Sequence, residues 1–202
     1  MKKRIGAMGG TFDPIHYGHL ALAEHVRCEY HLDKIIFIPA GIPPHKNNLK
    51  VSDNMHRYMM TELATIQNPN FQVSDIEVRS PEISYTFFTL QNLKEVYGKD
   101  VDIYFITGAD ALLEIEAWKK SDELLKMCGF IAGTRPGLEN KKLEEKVALL
   151  REKYKAIIHL AYIPALDISS TDIRDRVFNN KAIKYLVPEG VEQYIYKNEL
   201  YK

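Results

Sequence analysis

The chain is poor in the features that usually place a protein at first sight. It has two cysteines in 202 residues, Cys28 and Cys128, far apart and in no metal-ligand spacing. That argues against a disulfide framework and against a Cys/His metal site, and both read as reduced thiols. No apolar run approaches the roughly 18 residues a membrane span needs. The basic start, Met1 to Arg4, leads into an apolar run that breaks at Gly9-Gly10, too short for a secretory signal. Neither charge sign is in excess, with Lys plus Arg at 27 and Asp plus Glu at 27. A nucleic-acid scaffold and a membrane-surface protein are therefore not expected, and any phosphate site must be local. There is one tryptophan, Trp118, and no internal repeat, low-complexity segment or linker. These absences predict a cytoplasmic protein without a nucleic-acid or membrane partner. A homo-oligomeric state stays open.

The apolar content, 46%, is ample for a core, and 202 residues fit a single domain, 1–202. Residues from about 168 to 202 would form a C-terminal helical subregion. Strand and helix patterns alternate from end to end. Ile5 to Met8 reads as a strand, Leu20 to Tyr30 as a helix, and Ile35 to Ile38 as a buried strand. Ser52-Asp53 would cap a helix with Met55, Met59, Leu63 and Ile66 on one face. Phe71 to Val78 alternates as a half-exposed strand does. Ser84-Tyr85-Thr86 opens a helix with Leu90, Leu93 and either Val96 or Tyr97 inward. Val101 to Ile106 is a strand, followed by a helical stretch to about Glu116 and a short helix from about Ser121. Phe130 to Ala132 is a strand, Lys141 to Tyr154 a charged helix with a solvated face, and Ile157 to Ile163 the last strand. A helix begins near Asp172, and two more short helices finish the chain, the second after Pro188.

Repeated βα alternation predicts a parallel sheet with helices on both faces. In such sheets ligands bind beyond the carboxyl ends of the strands. The unusual polar stretches all fall at those ends: Gly9 to His19, Pro39 to Lys46, Gly108 to Asp110, Arg135 to Gly137, and Asp167 to Arg174. Together they supply donors in His16, His19, His45, Lys46, Arg135 and Arg174, hydroxyls in Thr11, Ser169, Ser170 and Thr171, and a carboxylate in Asp110. There is no nucleophile with a paired base, no carboxylate dyad and no metal cluster. Such a set is poor equipment for covalent catalysis. It suits phosphoryl or nucleotidyl transfer, which can run on positioning and electrostatics. The Gly9-Gly10 turn before a helix, and Ser169-Ser170-Thr171 before another, are both ready anion sites. Trp118 suits either aromatic stacking or a core position. His25, His31, His56 and His159 read as structural.

Two motifs carry a resemblance. GGTFDPIHYGH, residues 9–19, resembles the (H/T)xGH signature of the nucleotidyltransferase superfamily, and Ile168 to Arg174 resembles its ISSTxIR signature. Pro43-Pro44-His45-Lys46, Ser84-Tyr85-Thr86, Gly108-Ala109-Asp110 followed by Trp118, Arg135-Pro136-Gly137 and the ending from Tyr185 to Tyr201 look like the bacterial nicotinate mononucleotide adenylyltransferases. Phosphopantetheine adenylyltransferases share the two outer signatures but lack the Ser-Tyr-Thr and Trp118 features as a set. One stretch departs from the family: Arg79 to Phe88 has no glycine before Ser84-Tyr85-Thr86, is one residue longer, and has Phe88 where an acid is common.

The resemblance implies a Rossmann-like, doubly wound α/β fold with a small C-terminal helical segment. It implies that AMP passes from ATP to nicotinate mononucleotide, giving nicotinate adenine dinucleotide and pyrophosphate. As catalytic residues it implies His16, His19, Lys46 and Arg174. ATP would meet Gly9, Gly10, Thr11, His16, His19, Asp110, Arg135, Ile168, Ser169, Ser170 and Arg174. The mononucleotide would meet Phe12, His45, Lys46, Ser84, Tyr85, Thr86 and Trp118. Mg2+ would arrive with ATP, not in a protein cage. Within the superfamily the alternative is a phosphopantetheine adenylyltransferase-like enzyme, and outside enzymes it is a nucleotide-binding regulator on the same fold.

Overall fold

Six strands alternate with eight α-helices in a computed structural model that describes residues 2–43, 51–134, 140–162 and 166–202. In order they are β1 (Lys3–Gly10), α1 (Tyr17–Glu29), β2 (Lys34–Pro39), α2 (Asn54–Thr65), β3 (Phe71–Val73), α3 (Thr86–Tyr97), β4 (Val101–Gly108), α4 (Ala109–Leu113), α5 (Ser121–Met127), β5 (Gly129–Thr134), α6 (Asn140–Tyr154), β6 (Ile158–Tyr162), α7 (Ser170–Phe178) and α8 (Glu189–Lys197), with a 3-10 turn at Ile115–Ala117. The strand order is β3-β2-β1-β4-β5-β6. β1 pairs with β4, β4 with β5 and β5 with β6, all parallel. Parallel neighbours need helical crossovers, and these cover the strands, so β2 and β5 read as unbroken buried runs. This is the α/β, Rossmann-like architecture.

The chain folds as two compact units, and it passes between them repeatedly. The first contains Met1–Gly9, Ala23–Ile35 and Tyr85–Ala165. Its core is built on Ile5, Ala7, Ile103, Phe105, Ile106, Phe130 and Ile131 from the strands, with Leu90 and Leu93 of α3, Leu124 and Leu125 of α5, and Leu143, Val147 and Leu150 of α6. The second contains Gly10–Leu22, Ile36–Ser84 and Leu166–Lys202, and so takes in the C-terminal segment. There Ile173 and Val177 of α7 and Val191 and Ile195 of α8 are buried. Gly190 lies over Leu63, where α8 packs on α2.

Several local expectations give way to tertiary context. On α2 the face formed by Met55, Met59 and Ile66 is exposed, with Ile66 at 76%, and the buried residues are Arg57, Met60, Thr61 and Thr65. Thr61 and Thr65 can be buried because each hydroxyl donates to a carbonyl one turn back. On α3 it is Tyr97 that turns inward, holding the Lys34 ammonium, while Val96 is exposed. The strand from Phe71 stops at Val73: the Ser74 amide makes one more bond, to the Phe37 carbonyl, and Asp75 to Arg79 then curl into a turn closed by the Asp75–Arg79 ion pair. The helix after Gly108 breaks at Glu114 and resumes only as the 3-10 turn. One terminal helix is found after α7, not two. Residues 183–187 form a tight turn with Lys184 bridged to Val187, and Tyr185 has φ +67, which no helix accommodates.

Candidate active site

β1 runs out at Gly9-Gly10 beside the end of β4, since Met8 pairs with Ile106. The strand order reverses between these two strands, and open parallel sheets bind ligands at such a reversal. The turn after β1 is shaped by two glycines. A Cβ on Gly10 would come within 2.7 Å of the Phe12 ring, and one on Gly18 within 3.0 Å of His16 Nδ1. Phe12 has φ +50 and a buried ring, set edge-on to His19 at 5.1 Å and tilted against Phe37 at 5.9 Å. Its side chain is thus a packing group.

The two signature histidines are stacked, ring centroids 3.7 Å apart. The His16 backbone N–H donates to His19 Nδ1 at 3.3 Å. A ring nitrogen that accepts carries no proton, so His19 holds its hydrogen on Nε2, as a donor suited to a phosphate oxygen.

The second signature meets the first. Ser169 caps α7, its Oγ accepting from the Asp172 amide at 3.1 Å. Ser170 Oγ donates to the Pro14 carbonyl at 2.9 Å. Arg174 Nη1 donates to the Asp13 carbonyl at 2.7 Å, and Nη2 to Thr171 Oγ1 at 3.2 Å. The helix N-terminus and the glycine turn are therefore fastened to each other inside the second unit. His16, His19, Ser169, Ser170 and Arg174 share one structural element, with Ile168 leading into it.

Three residues outside the expected set hold this element in place. Asp13 is 3% exposed. Its Oδ1 accepts from the Tyr201 hydroxyl at 2.7 Å and its Oδ2 from the Ser52 amide at 3.2 Å. Burial, and next the Asp13 charge, push the Tyr201 hydroxyl far above the usual tyrosine pKa, so it stays a donor. Arg57 is 1% exposed, and its guanidinium donates to the carbonyls of Ser52, Thr11, Ala40 and Gly41. Burial lowers its pKa, opposed chiefly by Asp13 and Asp53. The one sequence trace of Arg57 is its i, i+4, i+8 spacing with Thr61 and Thr65, a polar stripe on an otherwise apolar helix. Tyr201 leaves none, because its partner is 188 residues away.

The first unit carries another group of expected residues. Gly9 is the last residue but one of β1, and exposed Asp110 sits in the first turn of α4, which follows β4. Trp118 is half-buried, edge-on to Phe105 at 6.1 Å, just past the 3-10 turn. Glu116 of that turn receives Lys146, Lys153 and the Tyr154 hydroxyl from α6, which lower its carboxyl pKa to about 2. Tyr85 and Thr86 open α3, which has no side-chain N-cap. Ser84, in the second unit, spends its Oγ accepting from the Gly41 amide at 2.9 Å. His45, Lys46 and Arg135 lie outside the described residues. Of the histidines read as structural, His25 pairs with Glu29, His31 follows the end of α1, His56 bonds the Tyr194 hydroxyl, and His159 packs between Tyr30 and Tyr104. No helix among the described residues is long and apolar enough to cross a membrane.

Known proteins match this arrangement across the chain. Residues 7–176 match the cytidylyltransferase-like family. A protein of Thermoanaerobacter sp. (strain X514), named "probable nicotinate-nucleotide adenylyltransferase", is 57% identical over 98% of this chain and 94% of its own length. One of the same name from Moorella thermoacetica is 55% identical over 98% of this chain and 92% of its own. Among solved structures, a Plasmodium falciparum nicotinic acid mononucleotide adenylyltransferase complexed with NaAD shares the fold, with a TM-score of 0.80 at 24% identity over 98% of this chain and 97% of that one. The chain belongs to the cytidylyltransferase-like family, and within it to the nicotinate-nucleotide adenylyltransferases.

Proposed function

We propose that the protein transfers AMP from ATP to nicotinate mononucleotide, giving nicotinate adenine dinucleotide and pyrophosphate as a step in NAD biosynthesis. The observation that carries this reading is the fastening of α7 to the glycine turn through Asp13, Pro14, Ser170 and Arg174. It joins two backbone segments suited to anions, two histidines and an arginine, and its serine hydroxyls are bonded to backbone groups, not to a base. That is equipment for stabilising charge on phosphate oxygens, not for a covalent intermediate.

The 5′-phosphate of the mononucleotide is anionic at neutral pH and needs no general base. One of its oxygens bonds to the α-phosphorus of ATP in line, the bond from that phosphorus to the bridging oxygen breaks, and pyrophosphate leaves with the electron pair. His16 and His19, with the N–H groups of Gly9, Gly10 and Thr11, meet the triphosphate and the pentavalent centre. Ser169, Ser170, the start of α7 and Arg174 hold the leaving end. Lys46, with His45 beside it, adds positive charge to the phosphates. Asp110 accepts from a ribose hydroxyl, and Arg135 lies near adenine. Trp118 stacks on the pyridine. Thr86 and the first amides of α3, which lack a side-chain cap, receive the nicotinate carboxylate. Among the described residues no three or more His, Cys, Asp or Glu gather for a metal. Mg2+ carried by the oxygens of ATP needs no such group, and it supplies charge neutralisation on the phosphates. The enzyme works in the cytoplasm.

Pyrophosphate release from ATP with separate acceptors tests the proposal. Release with nicotinate mononucleotide is expected, and more slowly with nicotinamide mononucleotide. Release only with phosphopantetheine overturns the substrate, and none with any acceptor overturns the enzyme.

A further inference from the structure

Asp13 and Pro14 form the junction of the glycine turn. Their two carbonyls take Arg174 and Ser170 from α7, at 2.7 and 2.9 Å. What fixes Asp13 itself is its buried carboxylate, which among the described residues takes a side-chain donor from Tyr201, at 2.7 Å. Its second oxygen is held by the Ser52 amide, whose own carbonyl takes Arg57. The tyrosine hydroxyl also lies 3.9 Å from Met60 sulfur, on the buried face of α2, so its position is set by packing.

From this chain of bonds we infer that Tyr201 is a positioning residue for adenylyl transfer: by fixing the Asp13 carboxylate it aims the Asp13 carbonyl, and with it the guanidinium of Arg174. This rests on the proposed function and goes beyond the residues that touch substrate. Arg174 Nη1 is held by a single carbonyl. Rotation of the Asp13–Pro14 peptide would swing that carbonyl away and leave Arg174 tied only to Thr171 on its own helix. A charge meant for phosphate oxygens loses its effect when displaced by about an ångström, so the loss appears in turnover.

The test is Tyr201→Phe, which removes the hydroxyl and keeps the ring. Wild-type turnover is measured first and by itself decides the substrate reading. Expected for Tyr201→Phe is a fall in kcat of about 10- to 100-fold, with KM for the mononucleotide within about twofold of wild type, the split that belongs to an interaction made in the transition state. In an Arg174→Ala background the same change should lower kcat no further, because Tyr201 acts through Arg174. A structural role would give equal losses in both backgrounds, and that result overturns the inference, as does an unchanged kcat. Lys202→Ala, which disturbs the neighbouring residue and leaves the hydroxyl, should keep wild-type kcat; a loss equal to that of Tyr201→Phe also overturns it. An independent readout needs no acceptor. The Nε–H resonance of Arg174, identified by its absence in Arg174→Lys, should shift in Tyr201→Phe, and an unmoved resonance refutes the coupling whatever the substrate.

Discussion

Arg57 offers the sharpest test of how the site is held. Arg57→Met keeps much of the side-chain volume and removes the charge. Four carbonyls, of Thr11, Ala40, Gly41 and Ser52, then lose their donor in a place Arg57 fills at 1% exposure. Asp13, itself 3% exposed, loses the buried positive charge near it. Single bonds to a charged group are worth roughly 1.5–3 kcal/mol, but four on one guanidinium do not add, because the carbonyls relax towards water once freed. Breaking a buried charge out of its network costs about 3–5 kcal/mol, a large part of the 5–15 kcal/mol typical of a folded protein. For a chain of this size that corresponds to a drop in Tm of about 6–20 °C. Arg57→Lys should recover part of it, since one ammonium satisfies some of the four carbonyls. Calorimetry and urea unfolding measure the loss. A Tm for Arg57→Met within about 3 °C of wild type, with an unchanged urea midpoint, would refute the view that Arg57 holds these loops.

Four further outcomes are expected. His19→Asn should lower kcat by about 10²–10³-fold, and His19→Gln less, because the longer amide reaches the place of the Nε2 donor; equal losses would reject the tautomer argued from His16. Trp118→Ala should raise KM for nicotinate mononucleotide and leave KM for ATP near wild type; the reverse would exchange the two substrate positions. The Glu116 carboxyl is held at about 2 in the fold, against 4.5 free, so its contribution is full above pH 4.5 and fades as pH falls through 2. Wild type should therefore lose Tm more steeply than Glu116→Gln between pH 5 and pH 2, and parallel curves would exclude it. Burial pushes the Cys128 thiol to about 12, so at pH 8 a disulfide reagent should label exposed Cys28 fast and Cys128 slowly; a fast-reacting thiol remaining in Cys28→Ser would contradict this.

The βα alternation and the two signatures were legible in the sequence because each rests on short-range order. A strand is a run of apolar residues, and a glycine turn or a capped helix start is a few neighbouring residues. The burial of α2 was not legible. A helix on which Met55, Met59 and the adjoining Ile66 face outward, while an arginine and two threonines join Met60 inside, departs from the usual pattern, and the carbonyls gathered from Thr11, Ala40, Gly41 and Ser52 explain it. The end of the strand at Val73 was hidden for a similar reason: the alternation continues to Val78, but the backbone curls into the turn from Asp75 to Arg79. Phe12 was assigned to ligand because of its place in the motif. Its ring is absorbed by Gly10, His19 and Phe37, a use that spacing does not reveal. The fastening of Ser170 and Arg174 to Pro14 and Asp13 was foreshadowed only as two anion sites at one sheet edge.

The bond from Tyr201 to Asp13 spans 188 residues. During synthesis the turn emerges long before the donor that completes it. A nascent chain thus carries the whole first signature long before it has the geometry to use it. Contacts of such sequence separation close late, after the local helices have formed. Ribosome-stalled chains ending before residue 201 should therefore display the signature without organised phosphate chemistry.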